Sequence, residues 1–528
     1  MKDQKKYRKL GTALAAILSV SLLLAGCTSG TAGKTQTAPD GDRPGTGEGG
    51  ETVPGAKTPE LQSENGGTYE DDSDGGHAIL ADGVEAAYSN ATVNKTGDAQ
   101  GDEADFYGDN AAVFATNGAR LSLTGMTITT DGTHANAVFS YGEGTVVEIS
   151  DSVIETAGNC SGGLMTTGGG IMNASNLTIH TTGNSSAAIR SDRGGGVVTV
   201  SGGTYTTDGK GSPAIYSTAQ ITVNDAILTS TASQGVVVEG RNSVTLNNVT
   251  LNADNNTKNS DKSDYYQAVM IYQSMSGDAD AGLSEFTANG GSITNANGDI
   301  FFVNNTATTI TLTGVEILNN GDGVFLRAAA AGWGREGANG GKVNLNASGQ
   351  VIDGDLLVDD VSALNLYLKD GSTFNGAVDP DGASGEVYVE LDAGSKWILT
   401  ADSNITSLTC EAGSIELNGH TLTVNGKEYT AGTASTGEPI EIKAEGGMGD
   451  MAPPDGMERP EGMEKPAGNG PSDNGQMTPP DGEMQPPGDG ERPDFEGGEP
   501  PEKPDGEPPQ MPDGMMGPGG GEPPQKPN

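Results

Sequence analysis

The sequence predicts an all-β chain: a single-stranded parallel β-helix, a solenoid of stacked coils, flanked by disordered segments. Three observations predict it. An eight-residue pattern recurs through the middle of the chain, one position in it always holds a residue that tolerates positive φ, and low-complexity composition is confined to the two ends.

The pattern is apolar, any, apolar, Ser/Thr/Asn, Gly/Asn/Asp, any, any, apolar. Leu121-Ser-Leu-Thr-Gly-Met-Thr-Ile128, Val147-Glu-Ile-Ser-Asp-Ser-Val-Ile154 and Val244-Thr-Leu-Asn-Asn-Val-Thr-Leu251 are examples. Its fifth position is Asn90, Gly125, Asp151, Asn176, Gly202, Asp225, Asn248, Gly290 and Gly314. Gly, Asn and Asp are the residues that enter the left-handed region at least cost, so each coil is expected to turn sharply there. The alternation before the turn reads as a strand. Through the regular part the period is 25 ± 1 residues and then 23, with longer steps where loops are inserted. Each coil can bury its inner face only against its neighbours, the signature of a repeat protein. A β-sandwich array would not keep one left-handed turn in register over nine repeats.

A second strand recurs in each coil, at Ala112-Val-Phe114, Ala137-Val-Phe139, Gly163-Leu-Met165, Ala188-Ile-Arg190 and Ala214-Ile-Tyr216. Strand alternation turns Val113, Val138, Leu164, Ile189 and Ile215 inward. It turns Phe114, Phe139, Met165, Arg190 and Tyr216 outward, followed by Val238, Met270, Phe301, Phe325 and Leu357. Arg190 fits only the outward setting, because a buried unpaired arginine is costly. Such a stripe is either a surface for a partner or a face covered by a loop. Two insertions interrupt the period: 252–268, with Asp261, Asp264, Tyr265 and Tyr266, and 327–342, with Trp333 and Arg335.

From about residue 80 to 440 the chain resembles the right-handed parallel β-helix proteins, the fold of pectate lyases and many bacterial adhesins. Leu366-Tyr-Leu-Lys-Asp-Gly-Ser-Thr-Phe374, Val389-Glu-Leu-Asp-Ala-Gly-Ser-Lys-Trp397 and the following Ile415–Val424 run are similar to the C-terminal coils of autotransporter passengers. That likeness implies a capping role. No membrane barrel follows, so the autotransport mechanism does not carry over.

The ends suggest where the coils are displayed. Lys2, Lys5, Lys6, Arg8 and Lys9 precede an apolar run that ends in Leu24-Ala25-Gly26-Cys27. This looks like the lipobox of bacterial lipoproteins, and the resemblance makes residues 1–26 a signal peptide and Cys27 the lipidated first residue of the mature chain. The expected place is the outer face of a bacterial cell membrane, held through the lipid. Residues 27–65 read as a linker and 66–445 as the β-helix. Residues 446–528, with 18 acidic side chains against 3 lysines and 2 arginines, read as an acidic Pro/Gly/Met-rich tail. Cys160 and Cys410 are too far apart along a solenoid to pair, so two buried free thiols are expected.

The net charge of −44 argues against nucleic acid as a partner. Pectate lyases of this fold hold Ca²⁺ with clustered carboxylates and use an arginine base, and Arg190-Ser-Asp192-Arg193 faintly echoes this. The Arg-x-Pro-x-x-Arg signature is absent. Asp359-Asp360 is an adjacent acidic pair without the flanking glycines and histidine of the hydrolases, and His77, His134, His180 and His420 show no repeated ligand spacing. The expected function is therefore passive binding of polysaccharide or another cell surface, through Phe114, Phe139, Arg190, Tyr216, Phe325 and Trp333. The alternatives are a polysaccharide lyase or glycoside hydrolase and a structural spacer. Clostridial β-helix proteins with similar tails, which bind acidic plant polysaccharides through Ca²⁺, offer a further resemblance. Asp353, Asp355, Asp359 and Asp360 are the expected Ca²⁺ ligands, the alternative being solvated turn residues.

Overall fold

The computed structural model describes residues 61–443 except Asn259 and Ala383; Cys27 and the acidic tail lie outside the described residues. Parallel strands stack into three long sheets of fourteen, ten and eleven strands, with each strand paired to its counterparts in the coils before and after. The chain is thus a parallel β-helix. The eight-residue pattern forms the strand of the first sheet, the corner and the strand of the second; the second recurring strand builds the third sheet.

All nine fifth-position residues lie in the left-handed region, with φ between 51° at Asp151 and 71° at Gly202. The corner selects the residue type. Alternation then fixes the core. Val147 and Ile149 from the first sheet, Ile154 from the second and Leu164 from the third are all buried in one continuous apolar column. A closed coil leaves its inner face no other contact.

The corner between the second and third sheets is built from polar groups. Ser161, Ser186 and Ser212 occupy the same step in consecutive coils and are fully buried. The Ser161 N–H donates to Ser186 Oγ, and the Ser186 N–H to Ser212 Oγ, both at 2.9 Å. Their hydroxyls donate back to Gly132, Gly158 and Gly183 carbonyls at 2.8–3.0 Å. These glycines are required by close approach: a Cβ on Gly158 would stand 1.9 Å from the Gly132 carbonyl oxygen.

Beyond Asn319 the second sheet gives way to a fourth, built from Val351–Asp353, Thr373–Asn375, Lys396–Ile398 and Ile415–Glu416. There the buried Trp397 stacks on Phe374 at 5.5 Å and donates Nε1–H to the Gly376 carbonyl. The related segments around 366–374 and 389–397 are these closing coils. An antiparallel pair, Leu422–Val424 with Lys427–Glu428, follows them. Among the described residues, no helix is long and apolar enough to cross a membrane.

Candidate functional site on the outer face of the third sheet

The outward row of the third sheet runs Leu80, Phe114, Phe139, Met165, Arg190, Tyr216, Val237, Met270, Phe302, Arg327 and Leu357, each paired with the next. The expected stripe is therefore present, with three corrections. Val238 and Phe301 belong to the inner core, and their neighbours Val237 and Phe302 face out. Phe325 is also in the core, against Phe301 at 5.6 Å, because a bulge between Val324 and Leu326 breaks the alternation.

Most of the stripe is covered rather than open. At one end Phe114, Phe139 and Met165 are buried together with Ala111 and Tyr141. The segment before Ala111 carries a short helix, Asp102–Phe106, whose Phe106 carbonyl accepts from Thr167 Oγ1 across the sheet. Phe114 and Phe139 are thus not ligand-binding surface. A covering loop is one of the two expectations for the stripe, but five helical residues show no periodicity that would mark this segment as the cover.

At the other end the two insertions meet. The Gly332 N–H donates to the Lys262 carbonyl at 2.6 Å, and Trp333 packs edge-on against Tyr272 at 5.2 Å. Together with the sheet they form a cleft of about 110 Å³, open to solvent, lined by Tyr216, Tyr265, Tyr266, Tyr272, Trp333, Gln234 and Lys258. Tyr265 is 38% exposed. Its ring lies 5.3 Å from Phe302 and 4.3 Å beneath the Arg327 guanidinium. Arg327 is itself held by two hydrogen bonds to Asp299, at 2.7 and 3.1 Å. Burial pushes Asp299 up to about 6 despite that partner.

Between the two covers the face is polar and well satisfied. Arg190 is half-buried and donates to Asp192 at 2.8 Å. Burial pushes Asp192 above the usual carboxylate range. The Tyr216 hydroxyl donates to Glu239, which also accepts from Ser274. Burial holds the Tyr216 phenol well above its ordinary value. Arg193 ties the short helix to the loop that follows Tyr272: it donates to Asp102 at 2.9 Å and Asp278 at 2.7 Å, with its guanidinium 3.7 Å over Phe106.

No protein-family model, curated protein or solved structure matches the chain.

The expected calcium ligands do not converge. Asp353 ends a strand of the fourth sheet and Asp355 begins one of the third, with Gly354 (φ 122°) at the corner between them. They do not share a strand face. Asp353 accepts from Asn375 at 2.6 Å and Asp355 from the Ala377 N–H at 2.8 Å, both in the next coil. Asp359 accepts from the Ala330 N–H and Ser362, and Asp360 is exposed. Cys410 is buried and free as expected, whereas Cys160 is only half-buried. Its sulfur belongs to a different cluster, with His134 and Asp105.

Proposed function

We propose that this chain is a lipid-anchored protein of the bacterial cell surface that holds a polysaccharide chain, without cleaving it, in the cleft between its two insertions. The observation that carries this reading is the rigid, exposed ring of Tyr265, clamped by Phe302 and the Asp299–Arg327 pair. Flat rings present a face to the C–H side of a sugar and lose little conformational entropy on binding. Gln234 supplies an amide for hydroxyl groups, and Lys258, ion-paired with Asp264, lines the same rim. The resemblance to right-handed β-helix proteins of the pectate-lyase and adhesin type supports the same substrate class. The polar groups nearby support binding over chemistry, since Glu239 and Asp192 are each engaged by neighbouring donors.

The test is a pull-down on pectin, xylan, cellulose and mucin, read together with release of unsaturated or reducing sugar ends. The expected outcome is retention on at least one acidic polysaccharide with no product. Sustained product release would replace this reading with a lyase or hydrolase, and retention on none with a structural spacer.

A further inference from the structure

One cluster lies away from the cleft, where the Asp102–Phe106 helix crosses the corner between the second and third sheets. The corner residues with positive φ there are His134 (57°), Cys160 (55°), Ser185 (55°) and Gly211 (65°), one from each consecutive coil. The N–H of His134 donates to Asn159, that of Cys160 to Asn184 and that of Ser185 to Lys210, so the four stand in one column. The column needs no particular side chain, since glycine serves at 211. Yet two consecutive coils place an imidazole and a thiol there, and the inserted helix brings the carboxylate of Asp105 against them. The three donor atoms all lie within 4.8 Å of one another.

We propose that Asp105, His134 and Cys160 form a three-ligand site for a borderline divalent cation of the zinc class, which fastens the inserted helix to two coils. One sulfur, one nitrogen and one oxygen donor is a set that suits zinc, and the half-buried position leaves the fourth coordination place to water. The alternative use of these groups is a thiol–imidazole–carboxylate relay. A relay puts the ring between the other two groups, whereas here thiol and carboxylate are also close to each other. The contact between His134 Nδ1 and Asp105 Oδ1, 2.7 Å, lies outside hydrogen-bond angles and leaves the shielded nitrogen without a hydrogen-bond partner. Bonds of about 2.0–2.2 Å to zinc ask the His134 and Asp105 donors, 2.7 Å apart, to part by less than about 1 Å.

The chain has three cysteines, so the test uses the full mature chain carrying Cys27→Ser. It is titrated with Co²⁺, whose thiolate complex absorbs in the near ultraviolet, and then with Zn²⁺ in competition. One equivalent of Co²⁺ should bind with that absorption, and Zn²⁺ should displace it. Cys160→Gly should abolish the band, and His134→Gly and Asp105→Asn should weaken Zn²⁺ binding by more than about tenfold. Glycine already stands at this corner in the coil of Gly211, so both glycine variants keep the fold, which a thermal melt checks. Cys410→Ser should leave the band intact. Absence of the band, or binding unchanged in Cys160→Gly, as when the acidic tail takes up the metal, would overturn the proposal.

Discussion

Ser161 and Ser186 occupy the same step of consecutive coils, and the Ser161 N–H donates to the Ser186 hydroxyl oxygen at 2.9 Å. That hydroxyl in turn donates to the Gly158 carbonyl at 3.0 Å. Each serine therefore completes the backbone of the coil before it. Ser186→Ala leaves a buried N–H without a partner and should lower unfolding stability by about 1–3 kcal/mol in urea titration. An unchanged midpoint would show that the ladder is not what closes this corner.

Gly158 stands where two coils touch backbone to backbone. A Cβ there would lie 1.9 Å from the Gly132 carbonyl oxygen, which cannot swing aside as a side chain can. Gly158→Ala should cost at least about 3 kcal/mol. Gly118 provides the comparison: its φ is +75°, but nothing lies within 4 Å of an added Cβ. Gly118→Ala should cost only about 1–2 kcal/mol, the ordinary penalty for a left-handed residue. Equal costs would mean that dihedral preference, not coil spacing, sets the glycine.

Burial, with the Asp359 carboxylate nearby, pushes Asp379 up to about 7 against the Val358 N–H that donates to it. The folded chain thus keeps a proton there that the unfolded chain gives up near pH 4. More protons are bound when folded, so this group's contribution to stability is full below about pH 4 and falls as pH rises to about 7. The loss is at most about 4 kcal/mol. Asp379→Asn preserves an oxygen for Val358 and carries no charge. Its advantage over wild type should be near zero at pH 4 and grow to a few kcal/mol at pH 8, measured by denaturant unfolding. A gap that does not change with pH would contradict the shift.

Much of the fold was legible because the corner at the fifth position of the pattern admits few residues. Asn90, Asp151 and Gly314 look unrelated, yet all meet one dihedral demand. The outward row was legible from Phe114 to Tyr216, where coils follow without interruption. It slipped by one residue at Val238, where the coil shortens, at Phe301, past the first inserted loop, and at Phe325, where a bulge ends strict alternation. Position in the sequence also misled at Asp353 and Asp355, since a chain corner at Gly354 separates them. The joining of Asp105 with His134 and Cys160 depends on an insertion folding back. Only the second half of that cluster left a trace: His134 and Cys160 follow the same glycine, two residues on, in adjacent repeats.

The anchor is a separate expectation, resting on residues outside the described part of the chain. Cys27→Ser should release the protein from the membrane fraction into the medium. Retention of the variant with membranes would remove the lipidated cysteine from the account.

The cleft between the insertions is the central claim, and titration calorimetry with an acidic oligosaccharide retained in the pull-down tests it most directly. Wild type and Val197→Ala, a change at an exposed first-sheet residue, should bind alike. Tyr265→Ala and Trp333→Ala should each weaken binding by about tenfold or more, the equivalent of about 1.4 kcal/mol. Affinity in both cleft variants equal to wild type would place the sugar elsewhere and contradict the account.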